Sequence, residues 1–355
     1  MAKQAVLSRV VRQDVSDNVV RVAADGGLDE RLLRYLDVVD DNEAVQLLNA
    51  LEGASDSRRL TQVVLREDAP ASFQRQLARQ FSEGDIDTDD VRTALRRIDE
   101  TSDPAVRDSL YRTVSEGGSN GARLLARTDN LDAVKRLVSD PEVGDDARTL
   151  IREFDDPDTL EAFFELDVSR ADGVWRQLAQ FSTDKQFSVG RAEQFVKDTQ
   201  VVKNVPGFDT PASAGGRSTI DDILSAGDAG NLKGDQLEVR VAADRINQGQ
   251  KVDAIGRDID TTDVDIELNN EIVEAKNKIT EDGALDKLDS FENAAKAGDL
   301  QLDDKAITFD SPNDLSDSAK ENIRREARQI EARNNGIDNI QIRFDSTPSI
   351  VVNSQ

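Results

Sequence analysis

The sequence predicts a multidomain protein in which an all-α N-terminal region precedes a C-terminal α/β domain. Short amphipathic helical patterns fill about the first 200 residues, a stretch rich in Gly and Pro follows, and apolar and polar residues begin to alternate after about residue 250. We predict an α-helical domain over residues 1–202, with room for two helical subdomains, and a linker over residues 203–230. Residues 231–355 are expected to form a mixed central sheet flanked by helices.

The N-terminal region is expected to be a bundle or a repeat-like array of helices. Val91, Ala94, Leu95 and Ile98 recur at the spacing of one helix face. Similar patterns return roughly every 12 to 15 residues, which is typical of stacked helix pairs. Residues 117–121 are interpreted as a turn, because no strand precedes them as a phosphate-binding loop requires.

The sequence predicts the element order α-β-β-β-α-β-α-β for the C-terminal region. Apolar periodicity switches between about 3.6 and two along this region, and Gly or Ser marks several of the helix ends. The expected helices cover residues 235–248, 284–297 and about 316–335, and the expected strands cover residues 251–259, 263–269, 271–277, 305–309 and 339–344.

Two of these strands carry the most informative charged residues. The alternation in residues 264–276 predicts a hairpin closed by Asn269 and Asn270, which tolerate the positive φ of tight turns. The pairing brings Asp265 close to Glu274 and Lys276 on one face of the sheet. Two carboxylates and an ammonium group so placed can hold a divalent metal ion and activate a water molecule.

The composition excludes several kinds of catalysis. The chain has no Cys and no His, so it has no Cys/His zinc site, no Ser-His-Asp triad and no His general base. Catalysis would have to use carboxylates, Lys, Arg, Tyr, Ser or Thr.

The charge balance points to a cell that contains high salt. The 71 acidic residues outnumber the 45 Lys and Arg, so the net charge is -26. High salt would screen the repulsion among these carboxylates. We therefore expect a cytoplasmic protein of a high-salt cell, without a membrane partner because no long apolar run is present. The alternative is an acidic, partly disordered chain. In high salt an acidic surface does not exclude nucleic-acid binding.

The order of charged residues resembles a known superfamily. Gly234 precedes a predicted helix that carries Glu238, Asp265 lies in the strand Val-Asp-Ile-Glu-Leu, and Glu274-Ala275-Lys276 gives the pattern E-x-K in the next strand. With the helix and strand that follow, residues 232–345 resemble the PD-(D/E)XK nucleases, in the manner of Holliday-junction-resolvase-like and restriction-endonuclease-like proteins. Val264 stands where many members of that superfamily have a Pro.

The resemblance implies specific roles for these residues. Asp265, Glu274 and the backbone carbonyl of Ala275 would bind Mg²⁺ or Mn²⁺. Lys276 would position or deprotonate the attacking water or stabilise the phosphorane oxygens, and Glu238 would complete the site. The alternative is a solvated sheet face with ordinary cross-strand ion pairs. Four neighbouring acids are interpreted as part of a halophilic surface: Asp253, Asp258, Asp260 and Asp263. If the strand register differs from the predicted one, Asp253 or Asp258 could bind the metal ion instead.

The function implied is a metal-dependent nuclease, with DNA favoured over RNA as the substrate. Arg324, Arg325 and Arg328 could contact phosphates, although pairing with neighbouring Glu residues is an alternative. A helical array before a terminal nuclease is also the layout of toxins and defence effectors, which would be secreted or delivered and would have an immunity protein or an effector complex as partner. The remaining alternatives are an RNA-cleaving toxin with the same site and a non-catalytic helical scaffold or adaptor.

Overall fold

The structure is a computed structural model that describes residues 57–346 apart from residues 67, 85, 184–186, 214–215, 260–261 and 335–336. It also describes residues 34, 35, 39, 43, 46, 47, 50 and 51. The rest of the predicted helical domain before residue 57 lies outside the described residues, and so does Asp260.

The chain divides into two compact units, Met1–Glu165 and Leu166–Gln355. This division differs from the predicted domain boundary at residues 202 and 203. It groups the last helices of the predicted helical domain with the sheet.

The first unit is helical throughout its described part from residue 57 onward. The long helix α4 contains a break at Gly118, which has φ 61° and ψ −141°. The predicted turn at residues 117–121 is therefore a kink inside a helix. Helices α2, α3, α5, α6 and α7 all contact α4, which makes this unit a bundle around one central helix. The helices are α1 Ser57–Val64, α2 Ala71–Glu83, α3 Thr88–Glu100, α4 Pro104–Arg127, α5 Leu131–Val138, α6 Gly144–Glu153 and α7 Pro157–Phe164.

Sequence signals at the helix starts explain these boundaries. The side chains of Asp87 and Asp103 accept hydrogen bonds from the first backbone N–H groups of α3 and α4. Pro104 occupies the first turn of α4, where its missing N–H costs nothing.

The second unit begins with four helices: α8 Ala171–Ser182, α9 Val189–Val202, α10 Thr219–Ser225 and α11 Ala229–Asn247. Part of the predicted linker is packed. The carbonyl of Pro206 accepts a hydrogen bond from Ile255 N at 2.9 Å, and Phe208 is fully buried. Helix α11 begins at Ala229 after the N-cap Asp228, so the predicted start at residue 235 is wrong and Gly234 lies inside the helix.

A five-stranded mixed sheet follows, in the order β1-β2-β3-β4-β5. The β1/β2 and β2/β3 pairs are antiparallel, and the β3/β4 and β4/β5 pairs are parallel. The predicted helical-plus-α/β architecture and the order of its C-terminal elements are confirmed. The elements are β1 Val252–Ile259, β2 Thr262–Leu268, β3 Glu271–Ala275, α12 Glu281–Ala297, β4 Ala306–Asp310, α13 Asp317–Arg333 and β5 Gln341–Asp345.

Helices pack against the sheet, and apolar side chains of the helices and strands together form the core of this region. Helix α11 packs against β1, β2 and β3, α12 against β2, and α13 against both α12 and β5. Leu288, Phe291 and Ile323 from α12 and α13 are fully buried with Ile272 and Ile307 of the sheet. Among the described helices, none is long and apolar enough to cross a membrane.

Candidate active site

The hairpin of β2 and β3 places the predicted acidic residues together. Ile266 lies opposite Val273 in the antiparallel register, so continuing by one residue sets Asp265 opposite Glu274. The backbone N–H of Ala275 donates a hydrogen bond to Asp265 Oδ2 at 2.8 Å. The connection has two residues as predicted, but neither Asn269 nor Asn270 takes a positive φ.

Lys276 links the two carboxylates. Its Nζ lies 3.0 Å from Asp265 Oδ2 and 2.8 Å from Glu274 Oε1. Asp265 and Glu274 are only 1% and 3% exposed, whereas the Lys276 side chain is 44% exposed. The site thus has a buried acidic floor and an ammonium group that solvent reaches.

A second lysine extends this cluster. Lys287 of α12 places its Nζ 3.0 Å from Glu274 Oε2 and 2.6 Å from Asp263 Oδ1. Its ammonium group also lies 5.3 Å from the centre of the Phe291 ring. Carboxylates and ammonium groups therefore alternate along the site in the order Asp265, Lys276, Glu274, Lys287 and Asp263.

Helix α11 contributes two further acids from beside the hairpin. Glu238 is half-buried and lies within electrostatic range of Asp265, Lys276, Asp235 and Glu274. Asp235 precedes it by three residues, so the two share one face of α11. The structure thus brings together all four predicted catalytic residues.

Burial raises the pKa values of four acids near the cavity, whereas the charge and the hydrogen bond of Lys287 outweigh burial and lower that of Asp263. For Asp265 and Glu238 burial is the largest cause, and for Glu238 the negative charge of Asp265 adds to it. Burial and the charge of Asp265 raise the pKa of Glu274 to about 7, and burial and Asp222 raise that of Asp235 to about 7. Carboxyl groups that titrate near neutral pH can both hold and release a proton, as general acid–base chemistry requires.

The pKa values of the two lysines are raised as well, but by neighbouring negative charge rather than by burial. Burial alone would lower the pKa of Lys276, but Asp265 and Glu274 outweigh it and hold the pKa above its ordinary value. The pKa of Lys287 is raised too, since the charges of Glu274, Asp265 and Asp263 outweigh its burial. Both side chains stay protonated, so Lys276 is suited to donating hydrogen bonds and poorly suited to removing a proton.

An open cavity of about 470 Å³ adjoins the cluster. Glu274, Lys276 and Lys287 form part of its wall, and Phe309 of β4 lies among the lining residues. Thr280 and Gly283, at the start of α12, also line it. The cavity gives a ligand of small-molecule size access to the carboxylates.

The type of donor atoms fits a hard divalent cation. Mg²⁺ and Mn²⁺ prefer the carboxylate oxygens that Asp265, Glu274 and Glu238 supply. Glu274 Oε2 is also buried without a well-directed hydrogen bond. Yet within the described part of the chain, no three acidic side chains are grouped so as to hold a metal ion. The ammonium groups of Lys276 and Lys287 lie beside the carboxylate oxygens that would bind one.

The predicted arginines lie on a separate helix. Arg328 pairs with Glu321 at 2.6 Å, and the Arg324 guanidinium lies 5.3 Å from the centre of the Phe344 ring. Arg325 is exposed. All three belong to α13, and none of them lines the cavity.

The acids interpreted as surface residues divide into two groups. Asp253 pairs with Lys251, and Asp258 accepts a hydrogen bond from Arg217 N at 2.9 Å. Asp263, in contrast, belongs to the cluster through Lys287.

Sequence reasoning missed Lys287 and Asp235. Lys287 lies three residues after the buried Ala284 and directly before the buried Leu288, so it borders the apolar stripe of α12. The scarcity of lysine was the available signal, because Lys276, Lys278 and Lys287 fall within a short stretch of a chain that has few lysines. Asp235 gave no comparable signal, since acidic residues are abundant throughout.

Comparison with known proteins gives no relative: no protein-family profile, curated protein or solved structure matches the chain.

Proposed function

We propose that this protein is a metal-dependent nuclease that hydrolyses phosphodiester bonds, with DNA as the favoured substrate. One observation carries the proposal: Lys276 bridges the buried carboxylates of Asp265 and Glu274 at the wall of an open cavity. Burying two carboxylates is unfavourable unless their charge is compensated. Such a cost is typical of a site retained for chemistry.

The order of elements supports the same proposal. The resemblance to PD-(D/E)XK nucleases requires a Glu-bearing helix, an Asp in one strand, an E-x-K pattern in the next, and then a helix and a strand. Helix α11, β2, β3, α12 and β4 supply these in that order. A restriction-endonuclease-like fold is therefore part of the proposal.

The residues of the site would have distinct chemical roles. Lys276 donates hydrogen bonds from a permanently charged ammonium group, so it can orient a water or stabilise negative charge that develops on a phosphate. Without a metal ion Glu274 has a pKa of about 7, so binding a divalent ion near neutral pH would displace a proton from it. Burial and the charge of Asp265 raise the pKa of Glu238, which favours its neutral form as a hydrogen-bond donor when no metal ion is bound.

A divalent ion would be held by Asp265 and Glu274, with the carbonyl of Ala275 and the carboxyl of Glu238 as further oxygen donors. When bound, Mg²⁺ or Mn²⁺ supplies a Lewis acid and lowers the pKa of water. Lys276 must then turn away from the carboxylate oxygens that it now contacts. The exposure of Lys276 leaves room for that movement.

The test is a cleavage assay in high-salt buffer with plasmid DNA and with RNA, each in the presence of Mg²⁺, Mn²⁺ or EDTA. We expect cleavage that requires the metal and falls by about 10²–10⁴-fold in Lys276→Ala and in Glu274→Ala. The Lys251→Ala variant is the matched control, because Lys251 also pairs with a carboxylate but lies directly before β1 and outside the cavity lining.

Each other result has a definite meaning. Cleavage of RNA alone would favour the RNA-cleaving toxin. A folded wild-type protein that cleaves neither substrate would favour the non-catalytic scaffold or adaptor. Under the toxin or defence-effector proposal, the partner is an immunity protein or an effector complex that covers the cavity, and it should inhibit cleavage when added.

A further inference from the structure

The cavity has a cationic side that the proposed chemistry does not use. Lys278 follows Lys276 by two residues and also lines the cavity. Within the described part of the chain, Lys278 has no carboxylate within ion-pair distance, whereas Lys251, Lys296 and Lys320 each have one. Lys203 and Lys233 also lack an ion pair among the described residues, but neither of them lines the cavity.

Lys287 adds a second cation to the same cavity. Its ammonium group has three N–H donors, and its two carboxylate contacts, with Asp263 and Glu274, account for two of them. The side chain is 13% exposed and is fixed by these contacts and by Phe291. Lys287 is therefore a pre-positioned cation, and Lys278 is an exposed one.

We propose that Lys278 and Lys287 bind the phosphate next to the scissile phosphate on the same nucleic-acid strand. The inference rests on the proposed function for the identity of the strand and adds a second phosphate position to it. Two residues of chain span at most about 7 Å, and both Lys276 and Lys278 line the cavity, so their ammonium groups are placed to contact neighbouring phosphates. Lysine recognises phosphate as a point charge, independently of the base.

The negative charge in the cavity does not cancel this site. Lys276 and Lys287 already pair with Asp263 and Glu274, so among the described residues that line the cavity Asp286 is the acid without an ion pair and Lys278 is the cation without one. Asp286 and Lys287 are adjacent in α12, so their side chains leave the helix in different directions. The contact through Lys278 is expected to be independent of sequence and sensitive to salt.

The experiment measures binding apart from cleavage. A fluorescent single-stranded oligonucleotide is titrated with the full-length Glu274→Gln protein and with the same protein carrying Lys278→Gln or Lys251→Gln. We expect Lys278→Gln to weaken binding about tenfold and to reduce the slope of log K against log salt by about 0.7, as the loss of one phosphate contact does. Lys251→Gln should change neither quantity, and Lys278→Arg should retain most of the affinity.

A second arm separates phosphate from base recognition. Inorganic phosphate should displace the oligonucleotide more effectively from the Glu274→Gln protein, which keeps Lys278, than from the same protein carrying Lys278→Gln. Equal binding and equal salt slopes for Lys278→Gln and Lys251→Gln would overturn the inference, and so would the absence of any binding. Binding that depends on Lys278 in a protein whose wild type cleaves nothing would support the phosphate site and contradict the proposed nuclease.

Discussion

Asp265 and Glu274 occupy positions that a protein core ordinarily gives to apolar side chains. They are 1% and 3% exposed, and burial raises the pKa of each. Lys276 and Lys287 offset part of the cost of burying them, but a buried ion pair seldom stabilises a fold more than apolar packing does. These residues are better explained by chemistry than by stability.

A different buried acid tests the cost of burial away from the site. Asp198 of α9 is 5% exposed, and its Oδ2 atom has no hydrogen-bond partner among the described residues. Burial raises its pKa from 3.8 to about 6, although the hydrogen bond from Gln194 acts in the opposite direction. Between these pH values the folded protein holds a proton that the unfolded chain has lost. The free energy of unfolding therefore falls as pH rises through this window.

Asp198→Asn should accordingly stabilise the protein at neutral pH by about 2 kcal/mol and should have little effect near pH 4. Asparagine keeps an oxygen for the hydrogen bond from Gln194 and carries no charge. Chemical denaturation at several pH values in constant high salt gives the measurement, with Asp108→Asn at an exposed position as the control. A variant less stable than wild type at neutral pH would show that the Asp198 charge has a partner that outweighs its burial.

The sequence predicted the site through strand periodicity. The alternation determines which residues share a face of the sheet, so Asp265, Glu274 and Lys276 could be placed together from the sequence alone. Strand periodicity could not predict the contact between Lys287 and Glu274, because Lys287 lies in a different element, α12. The ion pairing of Lys276 with both carboxylates was also beyond the sequence, since it depends on where side chains settle in three dimensions.

At the level of elements, one buried carboxylate links α12 to α13. Glu292 of α12 receives hydrogen bonds from Arg333 and Asn334 and an ion pair from Lys296 of its own helix. Arg333 Nε lies 2.8 Å from Glu292 Oε1. The hydrogen bonds from Arg333 are the main reason that the pKa of Glu292 is lowered to about 2. This lowering means that the ionised carboxylate stabilises the fold.

Glu292→Gln is therefore expected to lower the free energy of unfolding at neutral pH by about 1–3 kcal/mol. The contribution of Glu292 is fully present above about pH 4.5 and is lost as pH falls towards about 2, so the deficit of the variant should shrink in acid. Glu321→Gln is the control, because the Glu321–Arg328 pair on α13 is exposed and should contribute nothing measurable. Equal destabilisation by both substitutions would contradict the role given to Glu292.

The order of the C-terminal elements could be predicted, because apolar residues recur in each with a clear helix or strand period. The residues at which the elements begin and end could not all be predicted. Helix α11 begins at Ala229, before Gly230 and Gly234, two residues that disfavour helix. The capping hydrogen bond from Asn231 N to Asp228 and the burial of Leu232 override that preference. Gly118 shows the opposite case, where a glycine-rich stretch interrupts α4 without ending it.

At the level of the molecule, the two compact units predict which fragment folds alone. Residues 166–355 include α9 and the segment around Pro206, whereas a fragment of residues 229–355 lacks both. Helix α11 would then lose its packing against α9 and the hydrogen bond from Gln236 Nε2 to Arg191 O, and Ile255 N would lose its bond to Pro206 O. Buried apolar surface and backbone groups would be exposed.

We expect residues 166–355 to unfold cooperatively and residues 229–355 to lack a cooperative transition. Thermal unfolding followed by near- and far-ultraviolet circular dichroism in high salt would show this, with the full chain as the reference. A cooperative transition for residues 229–355 would instead support the domain boundary at residue 230 that the sequence suggested.

The net charge of the whole chain determines how its stability should respond to salt. Salt weakens the attraction within ion pairs and also the repulsion among like charges, and these two effects oppose each other. The 71 acidic residues exceed the 45 basic ones, so pairing every cation would still leave 26 carboxylates without a partner, and repulsion should dominate.

The midpoint of thermal unfolding should therefore rise as KCl increases. Most of the rise should occur below about 1 M, because the Debye length falls from about 10 Å at 0.1 M to about 3 Å at 1 M. KCl and NaCl should act alike in this range if screening is the cause, whereas sulfate would add stability beyond it by exclusion from the protein surface. A midpoint that is flat or falls with KCl would mean that the ion pairs of the fold contribute more than the repulsion of its surface, and the prediction of a high-salt cell would lose its physical basis.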